Sequence, residues 1–566
     1  MTSSRLLRTS GTAAALAAAL LISGCAAGSS AFQHSKDVGY ARDEAAPLQS
    51  LQPLPASPPA ALKPYYGQRL TWHACRARGF ECATMKVPLD YARPDAGEDV
   101  KLAVARKKAT GSGAGAAGTA GATGGARAAG IAGATGAAGP AGTAGAAEDS
   151  TKRFGSLLVN PGGPGGSAIG YLQQYAGIGY PAAVRARYDM VAVDPRGVAA
   201  SEPVTCLSNR QMDEFTATDQ TPDDEAEVAR LVAAYKKFGR GCESRSGRIL
   251  GHVSTIEAAR DMDVLRAVLG DGKLNYVGAS YGTLLGATYA GLYPSRVGRV
   301  VLDGAMDPSL DAKRMNREQT AGFETAFTSF AKDCVGRKDC PLGAKNPADA
   351  GRRLKALFNR IDQHPLRTSG PRRLTESLAT TGVIAVMYDQ SGWPQLRTAL
   401  KSARKGDGSA LLALSDRYYE RNGKGGYENL MYANPAVNCL DLPAAFRGPA
   451  DVREAVPAFE KASPVFGRGL AWSALNCAYW PRPATGRPHR IEAKGAAPIV
   501  VVGTTRDPAT PYRWARGLAA QLTSGRLLTY NGDGHTAYGR GSACIDTAIN
   551  TYLLKATPPT PHKTCT

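Results

Sequence analysis

Short apolar runs and stretches of helical periodicity alternate along most of the chain. Runs with strand character lie at 100–106, 156–159, 190–193, 274–277, 299–302, 498–502 and 526–530. From 156 onward they are nearly unbroken in apolar side chains, the pattern of strands covered on both faces. Between the runs at 190 and 274, Ser254 and Glu257 form a capping-box pattern. Ile256, Ala259, Met262, Leu265 and Leu269 then recur at helical spacing. Such alternation predicts a mostly parallel sheet flanked by helices. It stops near Pro308 and resumes near Pro498; the stretch between reads as mainly helical, for example at 325–333, 352–362 and 393–403. The expected organisation is a sheet domain in two parts, 62–307 and 491–566, with a helical cap inserted at 308–490.

Two segments break the pattern. Residues 109–148 are almost wholly Ala, Gly and Thr, with little side-chain area to bury, and are expected to form a disordered loop. Because they separate the runs at 100–106 and 154–159, the simplest reading is a swollen hairpin loop. At the N-terminus, Arg5 and Arg8 precede an apolar stretch, 12–22, too short to span a bilayer, which predicts a signal peptide over 1–25. It ends Leu21-Ile22-Ser23-Gly24-Cys25, which resembles a bacterial lipobox and implies cleavage before Cys25 and attachment of lipid to its thiol. Residues 26–61, rich in Ala, Ser, Pro and Gln, then read as a disordered tether. The protein is therefore expected to be exported, on the membrane through Cys25 or released from it.

Composition changes this picture little. The 566 residues are 43% hydrophobic and 20% charged, as in a soluble globular protein, and the formal charge is +20. The basic residues are scattered, so the charge reads as a surface property and nucleic-acid binding is not expected. Setting Cys25 aside from eleven cysteines leaves an even number, which in an exported chain points to structural disulfides. Many connectivities are open; pairing by proximity gives Cys75–Cys82, Cys206–Cys242, Cys334–Cys340, Cys439–Cys477 and Cys544–Cys565. No cluster of histidines and cysteines has zinc-ligand spacing, and neither a metal nor a cofactor is expected.

The strongest chemical signal is Gly278-Ala-Ser280-Tyr-Gly282, set between a strand and a helix of small residues. Glycines permit a strained turn that lifts a serine hydroxyl off a sheet at a helix N-terminus. A serine needs a base beside it, and the base needs a carboxylate to fix its tautomer. In this fold the acid follows a later strand and the histidine follows the last. Asp507 ends the run at 498–502 and His535 follows the run at 526–530, so Ser280, Asp507 and His535 are the expected triad. Asp303, after the run at 299–302, is the other candidate acid. The oxyanion of the transition state needs donors, here expected to be the backbone N–H groups of Tyr281 and of Gly163 in Asn160-Pro-Gly-Gly163-Pro164-Gly-Gly166.

Taken together, these segments resemble the actinomycete tripeptidyl aminopeptidases, α/β-hydrolase relatives of proline iminopeptidase. Pro161-Gly-Gly-Pro-Gly165 is similar to that family's HGGPG run, with proline where many relatives carry histidine. Asp194-Pro-Arg196-Gly197-Val-Ala199-Ala-Ser201 is similar to its D-x-R-G-x-G-x-S turn, with Ala199 in place of a glycine. Pro435-Ala-Val-Asn-Cys439-Leu-Asp441 and Cys477-Ala-Tyr-Trp480-Pro481 resemble its paired cysteine segments. The resemblance implies an α/β-hydrolase fold and a serine exopeptidase that releases short peptides, typically tripeptides, from a free N-terminus. A substrate ammonium then calls for a carboxylate, with Glu318, Glu324, Asp389 and Asp441 as candidates. The same triad also suits a carboxylesterase or lipase, and a non-catalytic surface lipoprotein is the third reading.

Overall fold

A computed structural model of the protein describes residues 48–111 and 152–566. The signal peptide, Cys25, the first part of the expected tether and most of the Ala/Gly tract lie outside these residues.

Ten strands form one sheet among the described residues: β1 His73–Ala74, β2 Glu81–Pro88, β3 Asp99–Lys107, β4 Ser156–Asn160, β5 Asp189–Val193, β6 Leu274–Ala279, β7 Val297–Asp303, β8 Ile499–Arg506, β9 Gly525–Asp533 and β10 Lys563–Cys565. Their spatial order is β1-β2-β3-β5-β4-β6-β7-β8-β9-β10. The ladders from β1 to β5 by way of β3 are antiparallel, and those from β5 through β4 to β10 are parallel. The apolar runs do what their composition requires. Leu157 and Val159 of β4 join one apolar cluster while Leu158 joins the other, and Val500 and Val502 of β8 separate from Ile499 and Val501 in the same way. Both faces of the parallel strands are thus covered by helices. Helices Thr255–Val268, Tyr281–Leu292 and Tyr512–Gln521 lie on one side; Ala543–Lys555 lies on the other.

Two expectations fail here. The runs flanking the Ala/Gly tract do not pair with each other, because β5 lies between β3 and β4. A chain-local hairpin loses to a partner brought from further along, which offers both neighbours a full ladder. The disordered tether also fails over 48–61. The Leu51 N–H donates to the Arg490 carbonyl (2.8 Å), the Leu54 N–H to the Leu292 carbonyl (2.9 Å), and both leucines pack on the main core.

Between β7 and β8 the chain runs through helices Ala312–Val335, Pro347–Gln363, Glu376–Met387, Trp393–Arg404, Ser409–Tyr418, Leu430–Asp441, Pro449–Ala462 and Gly467–Ser473. The first five surround their own core, which includes Phe327, Phe330, Phe358, Leu378 and Leu396. Helix Leu430–Asp441 instead packs on the sheet-side core through Tyr432, Ala436, Val437 and Leu440. Helix Glu225–Leu250, from before β6, joins Pro449–Ala462 through Leu231, Tyr235 and Phe459. The five disulfides pair as proximity suggested, each of a kind that contributes about 2–4 kcal/mol.

Candidate active site

The carboxyl ends of β4, β6, β7, β8 and β9 converge on one place. Ser280 sits between β6 and helix Tyr281–Leu292 with φ 56° and ψ −126°, a strained conformation for a residue with a side chain. Glycine makes that turn possible: a Cβ on Gly278 would lie 2.4 Å from the Gly282 carbonyl oxygen. The Ser280 N–H donates to the Asp303 carbonyl at the end of β7 (2.9 Å), pinning the elbow to the sheet.

Asp507, 2% exposed, follows β8. One carboxylate oxygen accepts from the N–H groups of Ala509 and Thr510 (2.9 Å each), and the other from the Thr510 hydroxyl (3.1 Å). Nδ1 of His535 lies 2.8 and 2.9 Å from the two oxygens. A carboxylate held this way fixes the proton on Nδ1 and leaves Nε2 free to accept. Nε2 is buried and has no hydrogen-bond partner. Pairs of nucleophile and base commonly tighten only as substrate docks. A side chain on Gly304 would come within 3.3 Å of the His535 ring, so the histidine rests against the strand end that also holds Ser280.

Asp303 behaves differently. Its oxygens accept from the N–H groups of Ala537 (3.0 Å) and Tyr538 (2.8 Å), which secures the loop carrying His535. Burial pushes its pKa up. It touches the histidine's backbone neighbourhood, whereas Asp507 touches the ring. Asp533 pairs with Arg506 (2.9 Å).

The loop after β4 leans on the elbow. A Cβ on Gly162 would meet the Ala279 carbonyl at 2.4 Å and the Tyr281 nitrogen at 2.8 Å; only glycine permits that approach. The Gly162 N–H is taken by Asn160 Oδ1 (2.8 Å). Among the described residues neither the Gly163 nor the Tyr281 N–H has a protein acceptor. Ala199, in the turn where a glycine was expected, adopts the left-handed conformation (φ 45°) and donates its N–H to Asn429 Oδ1 (2.8 Å). The turn survives the substitution at a cost in strain.

Each of the four carboxylates expected to meet a substrate amine has a partner within the protein. Glu318 pairs with Arg314 (2.9 Å) and accepts from the Trp514 indole (2.6 Å). Glu324 accepts from the Ser463 hydroxyl (2.6 Å). Asp389 pairs with Arg540 (2.7 Å). Asp441 accepts from the Thr255 N–H (2.8 Å) and hydroxyl, and burial pushes its pKa up to about 7. Helical position alone does not distinguish a carboxylate that packs from one that waits.

Two glutamates outside those four, Glu420 half-buried and Glu428 exposed, lie on a segment that runs past the site. Arg421 and Tyr427 form an antiparallel bridge, and the Glu428 N–H donates to the Glu420 carbonyl (3.2 Å), so Glu420 and Glu428 face each other across a Gly-rich turn. On one side, the Tyr418 ring lies 6.2 Å from that of Tyr388, which meets the His535 ring edge-on at 5.4 Å. On the other, Leu430 would touch a Cβ on Gly163 at 3.2 Å. The segment thus bridges the histidine and the Gly163 loop. Among the described residues no cationic side chain lies within 4.0 Å of either glutamate. Burial, reinforced by Glu428, pushes Glu420 up to about 7. The sequence signal was the repeated Tyr-Glu pair on both arms of the turn. Elsewhere Asp90, His252 and Glu257 converge within 4.8 Å, but Arg93 and Arg196 already face the two carboxylates.

A parallel sheet with a serine elbow after one strand, a buried acid after a later one and a histidine after the next defines a serine hydrolase of the α/β-hydrolase fold. A family model described as TAP-like protein matches residues 463–565. The chain is 36% identical over 527 residues to serine protease Hip1 of Mycobacterium tuberculosis, covering 89% of this chain and 92% of that protein. It is likewise 36% identical over 534 residues to carboxylesterase B of the same species, covering 91% and 94%. With the tripeptidyl aminopeptidase of Streptomyces lividans it shares 30% over 512 residues, covering 88% and 86%. The chain belongs to the tripeptidyl aminopeptidase family of α/β-hydrolases and is a serine hydrolase. Among the described residues no helix is long and apolar enough to cross a membrane.

Proposed function

We propose that the protein is an exported serine exopeptidase that releases short peptides, tripeptides foremost, from free N-termini. Ser280 attacks the scissile carbonyl while His535 takes its proton, and Asp507 holds the imidazole and balances its charge. The oxyanion is received by the N–H groups of Tyr281 and Gly163. His535 then protonates the departing amine, and a water it activates hydrolyses the acyl-enzyme. Glu420 and Glu428 receive the substrate's α-ammonium. The observation that supports this reading is the pair itself: two carboxylates, Glu420 half-buried and Glu428 exposed, on a segment that adjoins Tyr388 and the Gly163 loop, with no cationic side chain within 4.0 Å among the described residues. Unpaired buried charge is costly, and a substrate ammonium removes the cost. The five disulfides favour an oxidising compartment, in keeping with export and a lipid anchor at Cys25.

A series of chromogenic aminoacyl, dipeptidyl, tripeptidyl and tetrapeptidyl substrates tests it, with simple acyl esters in parallel. The highest kcat/KM is expected on the tripeptidyl compound. Faster turnover of the esters than of every peptide would move the function to the carboxylesterase reading, which the second relative's name favours.

A further inference from the structure

The groups proposed to receive the oxyanion belong to two different parts of the core, the loop after β4 and the helix after β6. One helix of the insert, Leu430–Asp441, touches the first and reaches the second through Thr255. At its first turns the Leu430 carbonyl, the Ala433 side chain and the Asn434 nitrogen would each come within about 3 Å of a Cβ on Gly165. Only a glycine loop lets the helix settle there. The Asn434 side-chain amide donates to the Pro164 carbonyl (3.1 Å), and Asn438 donates to Asn434 Oδ1 (3.0 Å), which leaves the Asn434 amide oriented toward the loop. At its last residue, the Asp441 carboxylate accepts from both the N–H (2.8 Å) and the hydroxyl of Thr255. That hydroxyl lies 2.6 Å from the phenol oxygen of Tyr281. Tyr281 is 3% exposed, and its backbone nitrogen immediately follows Ser280. With the Thr255 proton committed to Asp441, the Tyr281 hydroxyl is left to donate to the Thr255 oxygen. The chain of bonds therefore has one direction, from Tyr281 through Thr255 to Asp441. The helix is held at this end by the Cys439–Cys477 disulfide and along its length by burial of Tyr432, Ala436, Val437 and Leu440.

We infer that helix Leu430–Asp441 sets the spacing of the oxyanion donors, with Asn434 as the positioning residue for the Gly163 loop and Asp441, through Thr255, as the positioning residue for Tyr281. None of these side chains needs to touch substrate. The inference rests on the proposed roles of Ser280, Tyr281 and Gly163, and it explains why Asp441, though buried beside the site, is not free to bind an amine. Losing an oxyanion donor outright costs about 10²–10³ in kcat; loosening one that remains present costs less.

The test compares Asp441→Asn, Thr255→Val, Tyr281→Phe and Asn434→Ala, with Thr255→Ser as the rescue, on a chromogenic peptide. Each preparation is normalised to active sites counted by a fluorophosphonate probe. Because the Thr255 N–H claims the single oxygen of an amide at 441 and leaves its NH2 facing the Thr255 hydroxyl, Asp441→Asn reverses the bond to Tyr281 without removing bulk. We expect kcat per counted site to fall about tenfold with KM within twofold. Thr255→Ser should restore the wild-type value. The Thr255→Val/Tyr281→Phe double variant should be no worse than either single, since both cut the same link. If the variants lose melting temperature or counted sites while kcat per site stays at the wild-type value, the residues only stabilise the fold and the inference is overturned. Should Ser280→Ala itself retain turnover and labelling, the nucleophile assignment fails, which is a separate outcome from the first.

Discussion

Two regions of this protein carry carboxylates around the same histidine, buried in one and half-buried or exposed in the other, and they treat them in opposite ways. At the carboxyl edge of the sheet, Asp507 has three backbone N–H groups, a hydroxyl and the imidazole around it, and Asp303 has the backbone of the loop behind the histidine. Every acceptor has work inside the protein. In the helical insert, Glu420 has a backbone N–H at Leu430 and a second carboxylate, Glu428, for company. A satisfied carboxylate fixes geometry; a carboxylate left beside a like charge calls for a cation. Under the proposed function the sheet edge provides chemistry indifferent to the substrate's ends, and the insert provides the selection.

Variants of the sheet edge should damage every substrate equally. Ser280→Ala is expected to cut turnover ~10⁶-fold on peptides and esters alike while the fold persists; activity within tenfold of wild type, with active sites still labelled, removes the triad. Asp507→Asn should lose ~10⁴-fold by favouring the wrong imidazole tautomer. Asp303→Asn, which keeps the shape of the side chain, should chiefly lower the melting temperature. Kinetics and melting curves on the pair check this, and an exchange of the two outcomes would move the acid to the end of β7.

The insert should respond to pH in a way the sheet edge does not. Burial and the neighbouring Glu428 push Glu420 up to about 7, which favours its charged form above that value, while a substrate α-amine stays protonated up to ~8. As pH falls below 7 the carboxyl takes up a proton and the attraction disappears. Between pH 7 and 5, kcat/KM for a free-amine peptide should fall about tenfold per unit more steeply than for an amine-blocked one. Parallel pH profiles for the two compounds would contradict the assignment. The smallest effect belongs to Ala199, whose left-handed backbone a glycine adopts freely: Ala199→Gly should raise the melting temperature by about 2 °C, with kinetics unchanged.

How far the sequence carried the reading follows the same division. The strands of the parallel sheet were legible because each is buried on both faces and reads as an unbroken apolar run. Ser280, Asp507 and His535 were legible because each closes such a run. What could not be read depends on partners distant in sequence. Nothing local says that β5 rather than β4 lies beside β3, or that Leu51 and Leu54 find a groove near Arg490 and Leu292. Strand β2, one place in from the sheet's edge, alternates buried and exposed residues, yet its charged positions masked it. Glu318 and Asp441 were named as candidates and Glu420 was not, since only the folded arrangement shows that Trp514 and Thr255 contact the first two. Spacing reveals where a carboxylate sits on an element, and contacts reveal whether it is spent.

The division of labour is tested most directly by one ratio: kcat/KM for a tripeptidyl chromogenic substrate with a free amine over that for its acetylated twin. It is measured for the wild type and for the Glu420→Gln/Glu428→Gln variant. The account predicts a wild-type ratio of at least ~100, from about 3 kcal/mol for leaving a buried charge unpaired, collapsing toward one in the variant while the acetylated substrate is cleaved at an unchanged rate. A wild-type ratio near one, or a high ratio that the variant preserves, would contradict it.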